Sequence, residues 1–115
     1  MRMWGVNPKL MCNQHLLGEH LEMHMFAGCI TKGKKIDGYV SGKLVVIEKI
    51  SQRHDELVAE MKARNMNHRS PLLLSTDRIG GVIDIKENEE ELGRRCSECR
   101  KQMVDEHAKN VCGTR

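Results

Sequence analysis

With 115 residues, the chain has material for one domain with a modest core and none for a separate regulatory module. Charged residues are 30% of it, yet the formal net charge is only +3; a dedicated polycation is excluded, and a mild bias toward anionic partners remains. Aromatic residues are 3% against eight methionines, so aliphatic side chains and thioethers must fill the core, which suits helices.

Residues 11 to 27 are predicted to form a helix. Leu16, Leu17, Leu21, Met23 and Met25 spread over a broad apolar arc, and His15, Glu19 and Glu22 gather opposite it, as an acidic strip facing away from the core. Gly28 is expected to stop this helix. A basic loop follows, Thr31-Lys32-Gly33-Lys34-Lys35, and then turn-rich stretches at Asp37-Gly38 and Ser41-Gly42. Val45-Val46-Ile47 is too short to classify. A second helix is expected over residues 51 to 64, with Ile50, Leu57, Val58 and Met61 on one face and Ser51 as its cap. Residues 66 to 83, with Ser70-Pro71 and Gly80-Gly81, read as a long surface connector. Asn88 and Glu91 resemble a capping box opening a third helix to about residue 110, with Leu92, Cys96, Cys99 and Met103 on one stripe. The expected fold is all-α: a compact single domain, residues 1–115, of about three main helices with long ordered loops.

No apolar run approaches the ~20 residues that span a bilayer, and no signal-like stretch opens the chain, so the expectation is a cytoplasmic protein without a membrane partner. Five cysteines, an odd number, point to reduced thiols rather than a disulfide framework. Cys96, Cys99, His107 and Cys112 offer four soft ligands, but their spacing fits no standard zinc finger, and small buried thiols in a helix interface are the simpler account. His20 and His24 have the i, i+4 spacing with which two imidazoles share a metal. Both point into the apolar arc, and with His54 they read as buried, hydrogen-bonded structural histidines. No metal and no cofactor is expected. Glu19 and Glu22 have a bland reading as solvated charges. Gly18, one turn before Glu22, argues otherwise: glycine inside a helix costs roughly 1 kcal/mol relative to alanine, and it leaves room for another backbone or a ligand. Lys32, Lys34 and Lys35, with Lys43, Lys62, Arg64 and Arg69, supply side chains of the kind that track a phosphate backbone.

With these residues in view, the chain resembles the pyrimidine-dimer DNA glycosylase family, small helical repair enzymes typified by the bacteriophage-type endonuclease V. Met1-Arg2, Gln14-His15-Leu16, Glu19, Glu22 and Gly28 carry the likeness at the front. Arg53-His54-Asp55-Glu56-Leu57-Val58-Ala59-Glu60, with Lys62, Arg64 and Asn67-His68-Arg69-Ser70-Pro71-Leu72, carries it further, over about two-thirds of the chain. It departs at Leu21 and Met25, where the phage pattern has DNA-contacting arginines, and it lacks the phage enzyme's aromatic, basic tail.

The resemblance implies a DNA repair glycosylase with abasic-site lyase activity on damaged double-stranded DNA. The terminal amine, here that of Met1, would attack C1′ to form an imine, and Glu22 would be the catalytic carboxylate. Arg2 should block removal of Met1, since aminopeptidases generally require a small second residue. A terminal amine has a reference pKa of ~7.7 to 8.0 against ~10.4 for lysine, so it is the readier nucleophile near neutrality. Arg2, Gln14, His15, Lys32, Lys34, Lys35 and Arg69 are the expected DNA contacts. A monomer is favoured. The competing readings are a non-enzymatic helical module, binding nucleic acid or stabilised by zinc, and a divergent relative that has kept the scaffold without catalysis.

Overall fold

The computed structural model describes residues 1–68, 70–72 and 74–113, the last four of these by backbone alone. The fold is all-α. Among the described residues there are five α-helices, α1 (Asn13–Thr31), α2 (Asp37–Ser41), α3 (Ile50–Ala63), α4 (Ile85–Arg95) and α5 (Ser97–Gly113), with 3-10 turns at Pro8–Leu10 and Ile47–Lys49.

α1 packs along α3, and its buried face is Leu16, Glu19, Met23, Phe26 and Ile30, a regular three-and-four spacing. This corrects the expected orientation. Glu19 lies in the middle of the core stripe with 1% of its surface exposed, while Leu17, Leu21 and Met25, assigned to the apolar arc, are exposed. A carboxylate can occupy such a position only if a cation and donors meet it, and α3 supplies the cation. Arg53 donates from Nε to Glu19 Oε2 at 2.7 Å and from Nη2 to Oε1 at 2.9 Å. From α3, Ile50, Leu57 and Met61 complete this layer.

The helix also runs past Gly28. Ile30 is buried, so packing extends the helix one more turn, and it closes at Gly33, whose φ of +72° suits glycine. The Lys34 N–H reaches the Cys29 carbonyl and the Gly33 N–H that of Ile30, the paired bonds of a Schellman ending. α3 starts directly from the preceding 3-10 turn without a side-chain cap, so Ser51 is not its cap. Residues 66 to 83 carry no helix among those described. Their end is pinned where the Ile47 N–H bonds the Gly80 carbonyl and Gly81, at φ +94°, lies against the Val45 carbonyl, where a Cβ would collide.

The expected third helix is two. Asp84, not Asn88, caps α4 by accepting from the Glu87 N–H at 3.0 Å, four residues earlier than the capping box read from Asn88 and Glu91. Cys96 then takes extended dihedrals (φ −128°, ψ 113°) and breaks the run before α5. Its sulfur accepts from the Cys99 N–H at 3.4 Å and so starts the new helix. Cys12 does the same for α1, accepting from the His15 N–H at 3.5 Å.

Candidate active site

The amino-terminal segment crosses α1, and the N–H groups of residues 2 to 4 alternate in direction. Arg2 donates to Glu22 Oε1 at 3.0 Å and Trp4 to Glu19 Oε2 at 3.1 Å, both on α1. Met3, between them, donates the opposite way to the Leu44 carbonyl at 2.6 Å. Met3, Trp4 and Val6 are buried, so the segment is anchored by packing as well. The two glutamates, one turn apart, thus act as a ruler for the amino terminus.

The result is a short approach between two functional groups. The terminal nitrogen of Met1 lies 3.7 Å from Glu22 Oε1, with the side chains of Met1 and Glu22 12% and 26% exposed. The pair sits at a rim that solvent reaches. A neighbouring groove of about 480 Å³ lies between Met3, Gly5, Lys49, Arg53 and Val82, but neither Met1 nor Glu22 lines it. An open rim suits a macromolecular substrate better than an enclosed small molecule.

Arg2, expected at a phosphate, is turned toward α4. Its guanidinium donates to Glu91 Oε2 at 2.9 Å and to Asn88 Oδ1 at 2.7 Å, and stacks 3.8 Å over the Trp4 ring. Glu91 is held below the usual carboxylate range, first by the Arg2 hydrogen bond. Asn88 also donates to the Trp4 carbonyl at 2.9 Å. α4 therefore clamps the amino terminus from the side away from α1. Of the other expected DNA contacts, Gln14, Lys32, Lys34 and Lys35 are exposed, and Arg69 lies outside the described residues. His15 turns inward, its Nδ1 3.3 Å from Cys12 Sγ and 3.5 Å from Cys99 Sγ.

The sequence profile described as pyrimidine dimer DNA glycosylase matches residues 1–74, from the amino terminus through α3. The chain belongs to that family. Membership assigns it to the DNA glycosylases, with DNA as substrate and pyrimidine dimers as the family's lesion. No significant match was found among curated proteins or among solved structures. α4, which holds Arg2 and Trp4, and α5 lie beyond the matched residues. Among the described residues no helix is long and apolar enough to cross a membrane.

Two side-chain clusters flank α1. In the first, Cys12, His15, Cys96 and Cys99 each bring one ligand atom within 4.8 Å of the others. The sequence had offered Cys96 and Cys99 with His107 and Cys112; His107 is instead exposed on α5, and the side chain of Cys112 lies outside the described residues. The signal overlooked was the matched spacing of Cys12-x-x-His15 and Cys96-x-x-Cys99. Burial pushes the Cys99 thiol up to about 12. Burial opposes ionisation of Cys96 too, but hydrogen bonds from the Cys99 backbone and from the Cys99 and Cys12 side chains outweigh it and lower that thiol. The second cluster joins His20 and His24 of α1 to His54 of α3 and His68. His20, His24 and His54 were expected to be hydrogen-bonded structural histidines; His54 Nδ1 does lie 3.0 Å from Asp55 Oδ1, but the Nε2 of all four rings is buried without a partner. Burial, reinforced by the three neighbouring rings, lowers His20 to about 4.

Proposed function

We propose that the protein is a bifunctional glycosylase and abasic-site lyase, with the Met1 amine as nucleophile and Glu22 as its acid-base partner. The 3.7 Å separation of these groups carries the reading, since reacting groups must sit near contact distance before a bimolecular step becomes effectively unimolecular. The unprotonated amine attacks C1′, an N–C1′ bond forms, and the bond from C1′ to the base breaks with its electron pair leaving on the base. One proton of the resulting ammonium passes to the ring oxygen as that oxygen's bond to C1′ breaks, which gives a protonated imine and a free hydroxyl. Glu22, negative and adjacent, stabilises that cation and takes the C2′ proton, which expels the 3′ phosphate by β-elimination. The Arg2 N–H on Glu22 Oε1 aims the carboxylate and costs no reorganisation during the reaction.

The surface around Glu22 fits a distorted duplex. A Cβ on Gly18, one turn away, would meet nothing within 4 Å, so this flank of α1 is open to close approach. Leu21 and Met25 are exposed beside it and are apolar where cations would grip phosphates; their part is to fill the space left when stacked bases part. Extruding a nucleotide costs a few kcal/mol and least at a damaged site, so deformability contributes to lesion choice. Phosphate contacts fall to Lys32, Lys34 and Lys35, whose region lies about 15 Å along the α1 axis from Glu22. Reversing all three to glutamate is expected to flatten the dependence of log K on log salt by about 2 to 3 units, at roughly 0.9 per lost phosphate contact. An unchanged slope removes these lysines from the interface.

Incubating untagged protein with abasic duplex and borohydride tests the chemistry. A covalent adduct that disappears when the amino terminus is blocked is expected, and its absence with folded protein rejects the lyase assignment.

A further inference from the structure

We propose that the protein carries a structural zinc ion held by Cys12, His15, Cys96 and Cys99. Two short knuckles face each other here. In each, a cysteine at a helix start accepts the backbone N–H three residues on, and that third residue supplies the second ligand. The Cys12 N–H adds a bond to Cys99 Sγ at 3.3 Å. Cysteine is not a preferred helix cap, and its use at the starts of both α1 and α5 points to a second task for the sulfurs. The spacings match a tetrahedron. Metal bonds of ~2.3 Å to sulfur and ~2.0 Å to nitrogen place ligand atoms ~3.5 to 3.8 Å apart. The Cys12 and Cys96 sulfurs are 3.9 Å apart, and His15 Nδ1 is 3.3 and 3.5 Å from two sulfurs. Three thiolates and one imidazole are a soft set that selects zinc over the hard divalent cations.

Such an ion would join the start of α1 to the break between α4 and α5, parts of the chain 84 residues apart. It would thereby fix α4, whose Asn88 and Glu91 hold Arg2. A chain with one Trp, one Tyr and one Phe has a small core, the setting in which a metal staple contributes most. The inference does not rest on the lyase reading, because its readout is the metal.

The test uses untagged, reduced full-length protein, loaded with cobalt in place of its metal. A thiolate-to-cobalt charge-transfer band in the near ultraviolet is expected, together with the intense visible bands of a tetrahedral site, and Cys99→Ser, which leaves two of the three thiolates, should lower the first by about a third or more. Because that variant risks misfolding, elemental analysis of the wild type decides separately: at least about one zinc per chain, with sulfur in its first shell by X-ray absorption. Folded protein without zinc, or with zinc that has no sulfur ligand, overturns the proposal.

A different observation carries a second site. We infer that His20, His24, His54 and His68 form an all-imidazole cage for a borderline divalent ion such as zinc, cobalt or nickel. Ring centroids lie 4.8 to 5.3 Å apart. Four buried Nε2 atoms without partners are an expense that ordinary packing does not explain, and a shared cation would satisfy them together. The outer side of one ring is already oriented: His54 Nδ1 lies 3.0 Å from Asp55 Oδ1. His68→Gln, outside the helices, should lower the metal content by about one ion per chain and leave the thiolate-to-cobalt band intact. Unchanged metal content in that variant, or a wild type whose whole metal content is bound by sulfur, overturns the cage.

Discussion

Replacing Glu22 by Gln is expected to leave binding to abasic duplex near that of the wild type and to lower strand scission by roughly 10²- to 10⁴-fold, the usual contribution of a positioned acid-base group. The amide keeps an oxygen that accepts the Arg2 N–H, so the amino-terminal segment retains its path over α1. What disappears is the negative charge 3.7 Å from the amine and the group that accepts the C2′ proton. Gel-based cleavage under single-turnover conditions, with a thermal melt and a binding isotherm on the same sample, separates these effects. Cleavage within a few-fold of the wild type by well-folded E22Q would remove Glu22 from the mechanism.

The second large effect concerns stability. Arg53→Met strands the Glu19 carboxylate in the core with only the Trp4 N–H as donor, and breaking a buried ion pair in this way costs about 3 to 5 kcal/mol. For a domain of this size each kcal/mol lowers Tm by very roughly 4 to 8 °C, so a drop of more than about 10 °C is expected. The double variant Glu19→Gln with Arg53→Met should recover much of the loss, since it removes the uncompensated charge and keeps an acceptor for Trp4. Urea unfolding of the three proteins gives the comparison directly. A cost below about 1 kcal/mol for Arg53→Met would show that this pair does not hold α1, α3 and the amino-terminal segment together.

Glu19 also shows where the sequence was hard to read. A helical wheel treats a carboxylate as surface, and only a cation 34 positions away makes its burial tolerable; that pairing has no periodic signal. The same limit misassigned Leu17, Leu21 and Met25 to the core, because an exposed apolar strip looks identical on a wheel to a buried one. The starts of α1 and α3 were read to within two residues, since apolar spacing and local polarity determine them. Helix ends that depend on tertiary packing were not: Ile30 carries α1 beyond Gly28, and a cysteine cap splits α4 from α5. Met1 and Glu22 were legible as a pair through family resemblance, whereas Arg2 was not, because its partners Asn88 and Glu91 lie more than 80 residues downstream. The histidine cage was half visible in the spacing of His20 and His24; its other half comes from α3 and the connector after it.

The most direct test of the central claim is to locate the bond formed when borohydride traps the protein on abasic duplex. Intact mass should first establish that the chain begins at Met1. Proteolysis and tandem mass spectrometry of the reduced complex should then place the sugar remnant on the Met1 α-nitrogen. A remnant on the ε-nitrogen of Lys32, Lys34 or any other lysine would contradict the account.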